Sequence, residues 1–259
     1  MNKDSLAAEL VAARKQGGRC NSLPDIKTID EAYALQAAVN ACEEQAPIGF
    51  KIGATVDAAM ETLNLDTPFH GEIFKAYHRD QGERISVFDS QPTSVETEFV
   101  VGLGRDIKRG SSEISIDDVR DATAWVAPGF EIVGSRFDDA WPRNGRKVIA
   151  DGAGNVATIL GTPITDWQSL DLDKHEASLT INGERKAVGN SGMSIGGNPL
   201  KMFAWLLNQP AFAKRGLKAG EFVFCGTCTG VIPVSIGDEL FADFGTMGQI
   251  SITLEDANA

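Results

Sequence analysis

Glu96 and Glu98 sit in the stretch Ser94-Val95-Glu96-Thr97-Glu98-Phe99-Val100-Val101-Gly102, whose alternating β-branched and aromatic pattern predicts a strand. Side chains at i and i+2 share one face of a strand, roughly 7 Å apart along it. The two carboxylates therefore point the same way, while Val95, Thr97 and Phe99 point the other. Like charges so placed repel unless something positive sits between them, and a hard divalent cation with oxygen ligands suits that position. A solvated strand face carrying two acids has the same pattern. Glu131, after Pro128-Gly129-Phe130, is the candidate third carboxylate. Three carboxylates plus waters or substrate oxygens complete a shell for Mg²⁺ or Mn²⁺. Alone, Glu131 reads more readily as a surface acid.

Lys51 lies in the apolar, glycine-flanked segment Ile48-Gly49-Phe50-Lys51-Ile52-Gly53. It is either a buried cation that orients substrate or moves a proton, or a lysine that snorkels from a strand end. Among the three histidines, His70, His78 and His175, only His70 has a setting worth following, between Phe69 and Gly71. Two other motifs carry less. Cys225-Gly226-Thr227-Cys228 is a single C-x-x-C, half of a four-ligand zinc site, and is flanked by loop-like sequence rather than opening a helix. Gly152-Ala153-Gly154-Asn155-Val156-Ala157 spells G-x-G-x-x-A after what reads as a short strand, Lys147 to Ala150. Pro163 follows six residues beyond Ala157, too soon for a dinucleotide-binding helix.

The elements that must position these groups are legible in outline. Residues 4–16 read as a helix, and Thr28-Ile29-Asp30-Glu31 is a capping box opening a second helix to about Val39. A short helix is expected over 56–63, and Pro68 to Ile73 reads as a loop re-entering a strand. Strands are expected over 84–89, 94–102 and 130–136, with a helix from Ser115 to about Trp125 between the last two. Asn182-Gly183 marks a hairpin turn between strands at 177–181 and 184–188. Asn198-Pro199 caps a helix through about Leu207, and strands near 221–225, 231–236, 239–244 and 249–254 close the chain. A soft boundary near residue 80 divides a helical N-terminal subdomain, 1–80, from a mixed β domain, 81–259.

The chain of 259 residues has a net charge of −12, 42% hydrophobic and 23% charged residues, as an ordinary globular protein does. This acidity argues against nucleic acid or an anionic membrane as partner. No apolar run approaches a membrane span, and Met1-Asn2-Lys3-Asp4-Ser5-Leu6 lacks a signal peptide's basic start and apolar core. A cytoplasmic location is the expectation. Four cysteines in a chain of this length do not make a secreted disulfide framework.

Taken together, these segments resemble the 2-keto-4-pentenoate hydratase family, within the fumarylacetoacetate hydrolase superfamily. The landmarks are Gly49-Phe50-Lys51-Ile52-Gly53, Glu96-Thr97-Glu98, Glu131-Ile132-Val133 with Ser135-Arg136, and Ala150-Asp151-Gly152. Gly197-Asn198-Pro199-Leu200 and Leu217-Lys218-Ala219-Gly220 extend the match to most of the chain. The resemblance implies an α+β fold, a mixed β-roll or barrel-like catalytic domain of the fumarylacetoacetate hydrolase type with a small helical N-terminal part. It implies a Mg²⁺ or Mn²⁺ site made by Glu96, Glu98 and Glu131, and a 2-oxo acid substrate contacted by Lys51, Ser135, Arg136 and Asp151. It further implies a homo-oligomer that adds water to a 2-hydroxy-2,4-dienoate, as in aromatic meta-cleavage catabolism. The same chemistry also serves 2-oxo acid decarboxylation and acylpyruvate-type C–C hydrolysis, and a catalytically weak partner subunit would retain the same metal ligands.

This chain departs from the family at three loops. Where many hydratases carry an Asp in a Pro-Asp-Phe-Gly-like context, it has Pro68-Phe69-His70-Gly71-Glu72, so His70 or Glu72 is the expected replacement acid/base. Asp151-Gly152-Ala153-Gly154 replaces Asp-Asn-Ala-Ser, and Gly226-Thr227-Cys228-Thr229 replaces Gly-Ser-hydrophobic-Thr.

Overall fold

A computed structural model describes residues 3–20, 24–138 and 143–259. Two sheets and six α-helices build it among those residues. Helices α1 (Lys3–Gln16) and α2 (Ile29–Asn40) come first, and the predicted capping box at Thr28 and Glu31 is formed. Strand β1 (Gly49–Gly53), helix α3 (Asp57–Leu63) and strands β2 (Phe69–Ile73), β3 (His78–Asp80) and β4 (Arg84–Val87) follow. Strand β5 (Thr93–Leu103), helix α4 (Ile116–Ala122) and strand β6 (Thr123–Gly134) form the centre. Helix α5 (Gly145–Ala150), strands β7 (Asn155–Leu160), β8 (Glu176–Ile181) and β9 (Glu184–Asn190), and helix α6 (Pro199–Leu207) come next. Strands β10 (Phe222–Thr227), β11 (Ile232–Val234), β12 (Glu239–Asp243) and β13 (Gln249–Asp256) end the chain.

The larger sheet runs β2-β1-β10-β5-β6-β7-β3, with β11 continuing the pairing of β5 beyond β10. The smaller runs β4-β13-β12-β8-β9. The expected β8–β9 hairpin turns at Asn182 and Gly183, both at positive φ, the pair that a two-residue hairpin turn requires.

The register of the larger sheet separates its faces. Phe50, Ile52, Val95, Phe99, Val101, Phe130, Ile132, Val223 and Cys225 fall on one face and join the main core, which includes the smaller sheet's apolar residues and α6. Lys51, Glu96, Glu98 and Glu131 fall on the other, beside a small apolar cluster of Ile73, Val100, Ala127, Phe222 and Phe224. A third cluster joins α1, α2 and α5 to Phe69 and Ala153.

Two local expectations are corrected. Lys147 to Ala150 is helix α5 rather than a strand, because Asn144 accepts a hydrogen bond from Lys147 N and starts a turn. Helix α4 stops at Ala122 instead of Trp125: the β-branched Thr123 opens β6, seven residues ahead of the strand expected at Phe130. The G-x-G-x-x-A segment leads into strand β7, in keeping with the early Pro163, rather than into a helix. Strands β1, β2 and β3, from the first 80 residues, are laid into the same sheet as later strands.

Candidate metal centre and its surroundings

Strand β5 presents Glu96 and Glu98 from one face, and in its register with β6 Glu96 stands opposite Glu131. One carboxylate oxygen from each of the three lies within 4.8 Å of the others. All three side chains are buried, Glu98 and Glu131 completely. Ionised carboxylates taken out of water need compensating charge. The available protein cation is Lys51, itself 1% exposed, with Nζ 3.2 Å from Glu131 Oε2. Lys51 Nζ also donates to Ala153 O at 3.1 Å. Gly71, opposite Lys51 in β2, must be bare here, because a Cβ would come within 2.4 Å of the Ala153 methyl.

One ammonium does not neutralise three acids. Burial, with Glu131 adding to it and Lys51 opposing, pushes Glu96 up to about 7. Burial, with Glu131 and Glu96, holds Glu98 well above the carboxylate range, against Lys51 and the Gly226 amide. Burial pulls Lys51 down, but Glu131, Glu96 and Glu98 outweigh it and its pKa stands above the ordinary lysine value. The protein groups alone leave a site short of positive charge.

The donor set fits a hard divalent ion. Among the described residues Glu98 Oε1 has no hydrogen-bond partner, and the charged group beside Glu131 Oε2 is the Lys51 ammonium at 3.2 Å. Their other oxygens are tied back. Gly226 N donates to Glu98 Oε2 at 2.7 Å, and Asn155 Nδ2 donates to Glu131 Oε1 at 2.9 Å. Each acid is thereby oriented with one oxygen free for coordination. Neither Asn155 nor Gly226 stands out in the sequence: Asn155 lies inside the G-x-G-x-x-A and Gly226 inside the C-x-x-C. Arg14 reaches from α1 to donate to Asn155 Oδ1 at 3.0 Å, while its guanidinium stacks 3.4 Å from the Tyr77 ring centroid. Burial, then Arg136 nearby, lowers Arg14 to about 10.

Ser135, Arg136 and Asp151 form a closed bracket behind this layer. Asp151 accepts from Ser135 Oγ at 3.0 Å, from Arg136 N, and from Arg136 Nε at 2.8 Å. The remaining Arg136 nitrogens donate to Asp151 O at 2.9 Å and Asn155 O at 3.1 Å. All three are 1% exposed. Their polar atoms brace the Asp151–Asn155 turn, which aims Asn155 at Glu131.

His70 and Glu72 lie elsewhere. In the β1–β2 register they pair with Ile52 and Phe50, so their side chains leave the sheet on the face opposite Lys51. There His70 stacks on Tyr33, with centroids 4.6 Å apart, and meets Phe212 edge-on. Glu72 accepts from Asn40 Nδ2 at 3.0 Å. A cavity of about 660 Å³ opens on this side and is lined by neither Lys51 nor the three acids. The charge and the unpartnered carboxylate oxygens lie on the other face. The residue that accompanies Lys51 from the departed loop is Phe69, whose ring centroid is 5.0 Å from Lys51 Nζ. The C-x-x-C cysteines are free and buried, and Cys228 Sγ donates to Thr97 O at 3.0 Å. Among the described residues, no helix is long and apolar enough to cross a membrane.

Comparison with known proteins places this geometry in a family. The model of the fumarylacetoacetate (FAA) hydrolase C-terminal region matches residues 43–255. The chain is 30% identical to the 2-hydroxyhexa-2,4-dienoate hydratase of Comamonas testosteroni, covering 87% of this chain and 86% of that protein. It is 29% identical to the 2-keto-4-pentenoate hydratase of Paraburkholderia xenovorans, covering 91% and 87% respectively. A solved structure of 4-oxalocrotonate decarboxylase from Pseudomonas putida G7, complexed with magnesium and adipate, superposes with a TM-score of 0.86 over 97% of each chain at 23% identity. This chain belongs to the fumarylacetoacetate hydrolase family, and its fold is that family's: a curled half-barrel sheet, a second sheet and a small helical N-terminus.

Proposed function

We propose that this member of the family is a divalent-metal-dependent hydro-lyase that adds water to a 2-hydroxy-2,4-dienoate, the reaction class named for its hydratase relatives. The observation that carries the reading is the convergence of Glu96, Glu98 and Glu131 with Lys51 in one buried spot. Glu96, Glu98 and Glu131 are the residues that would hold Mg²⁺ or Mn²⁺, which when bound supplies Lewis acidity and stabilises negative charge developing on the 2-oxygen of an oxo-acid head.

The chain's own residues do the rest. Asn155 and Gly226 keep two ligands aimed, which lowers the reorganisation needed when substrate arrives. Lys51 stays protonated at neutral pH, so its ammonium orients the substrate carboxylate and has a proton to deliver to a carbanionic carbon. The Phe69 ring beside it keeps bulk water from the ammonium. His70 and Glu72, expected from the sequence as acid/base candidates, face away, and proton transfer rests with Lys51. The reading includes a homo-oligomer in the cytoplasm; the family resemblance supports the first and the free thiols fit the second.

The test is the ultraviolet absorbance of 2-hydroxypenta-2,4-dienoate incubated with enzyme and Mg²⁺. Its loss with formation of a 4-hydroxy-2-oxo acid, stopped by a chelator, is the expected result. Carbon dioxide release from a 4-oxalocrotonate-type acid, or cleavage of an acylpyruvate, without dienoate hydration would replace this reading with the decarboxylase or the hydrolase.

A further inference from the structure

Two buried hydroxyls, on segments bonded to one another, have no hydrogen-bond partner among the described residues. Thr55, two residues beyond β1, is 1% exposed, and its Oγ1 makes no hydrogen bond. Ser194, in the segment before α6, is 8% exposed, and its Oγ makes none either. Buried hydroxyls nearly always find an acceptor, because leaving one unmet costs free energy.

Thr55 belongs to the wall around Glu98, and the Ser194 segment is bonded to Thr55. A Cβ at Gly226 would lie 2.2 Å from Thr55 Oγ1, so the hydroxyl rests on the bare Cα of the residue whose amide holds Glu98. Gly226 has a φ of 102°, which suits glycine and keeps that space open. Ile195 N donates to Thr55 O at 2.7 Å, which ties the Ser194 segment to the same wall. Seven buried side-chain polar atoms lack a hydrogen-bond partner among the described residues; Glu98 Oε1 and Glu131 Oε2 are two of them, and Thr55 Oγ1 and Ser194 Oγ, on segments bonded to one another, are two more. The two carboxylate oxygens call for a cation, and the two hydroxyls for a ligand with oxygen acceptors.

Positive charge nearby is scarce. Residues 188–197 and 222–237, which supply the wall, contain no charged side chain. Arg136 is held by Asp151 and the Asn155 carbonyl, and Arg14 by Asn155 and Tyr77. An incoming carboxylate therefore meets one ammonium, Lys51, and must satisfy its remaining lone pairs with neutral donors.

We propose that Thr55 and Ser194 donate their hydroxyls to the carboxylate of the substrate's oxo-acid head, completing with Lys51 its recognition. This rests on the 2-oxo acid reading above and adds two substrate-binding residues to it. Oxalate, which carries the same adjacent oxygens, is the probe.

Calorimetric titration of oxalate into Mg²⁺-saturated protein tests it with wild type, T55V, T55S and S194A. A lost hydrogen bond to a charged acceptor predicts about tenfold weaker oxalate binding for T55V and for S194A. T55S, which keeps the hydroxyl, stays near wild type, and Mg²⁺ affinity without oxalate is unchanged in all three. The ligand-free S194A protein melts at or above the wild-type temperature, since an orphaned hydroxyl is removed. Unchanged oxalate affinity in T55V and S194A overturns the proposal, as does an equal loss in T55S and T55V. If wild type binds oxalate through these hydroxyls yet hydrates no dienoate, the hydratase reading fails while this one stands.

Discussion

Lys51 Nζ lies 3.2 Å from Glu131 Oε2, although β10 and β5 separate their strands in the sheet. A flat sheet spaces strands about 4.8 Å apart, so side chains three strands distant would not meet. They meet because the sheet curls and encloses the face carrying the acids. The pair is thus a gauge of the curvature that makes the site, and of the charge balance inside it.

Replacing Lys51 with Met removes the buried ammonium and its proton while keeping the side chain's length. The expected outcome is a fall in kcat/KM of about 100-fold or more, the range that a positioned acid/base group contributes. Mg²⁺ binding, measured by calorimetry, persists in K51M because the three ligands remain. Hydration by K51M within tenfold of wild type would remove Lys51 from the proton-transfer role.

Variants H70Q and E72Q separate the two faces of β2. Both side chains sit across the sheet from Glu131, and both expected outcomes are kcat values within about threefold of wild type, the small effect usual for changes outside the reacting groups. A loss of two orders of magnitude in either variant would return the acid/base assignment to that loop.

His70 and His78 make a stability prediction with a definite sign. Burial lowers both to about 4; for His78, the neighbouring Lys75 charge adds to the effect. Between pH 6.5 and 4 the unfolded chain takes up protons that the folded chain refuses, so their contribution is intact above pH 6.5 and is lost as pH falls toward 4. For the more enclosed His70 this amounts to about 2 kcal/mol after allowance for partial exposure. Glu96 and Glu98 work in the opposite sense, because carboxylates raised by burial favour the fold at low pH and weaken it as pH rises through their folded values. The readout is therefore the difference between wild type and the H70Q/H78Q double variant in urea unfolding at pH 7.5, 5.5 and 4.5. The wild type should lose more stability on acidification than the variant; parallel curves would contradict the assignment.

How far these features can be read from the sequence differs by element. Period-two alternation suffices to place Glu96 and Glu98 on one face, and the resemblance supplies Glu131. The faces of His70 and Glu72 depend on the β1–β2 register, which local pattern does not specify; once Lys51 is set opposite Gly71, both acid/base candidates turn away. Asn155 and the Gly226 amide were hidden for another reason. An amide side chain and a backbone N–H carry no motif, and their value lies in holding carboxylates whose positions only the folded sheet determines. Lys-Val-Ile-Ala suits a strand by composition, whereas the Asn144 cap and packing on α2 make it helix α5.

The central claim is that Glu96, Glu98 and Glu131 hold one divalent ion that receives an oxo-acid head. Crystals soaked with Mn²⁺ and oxalate, measured at the manganese edge, test it most directly. The account predicts a single strong anomalous peak among the three carboxylates, about 2.2 Å from one oxygen of each and bridged to oxalate. A peak elsewhere, or one at Glu96 and Glu98 with Glu131 left on Lys51 alone, would contradict it.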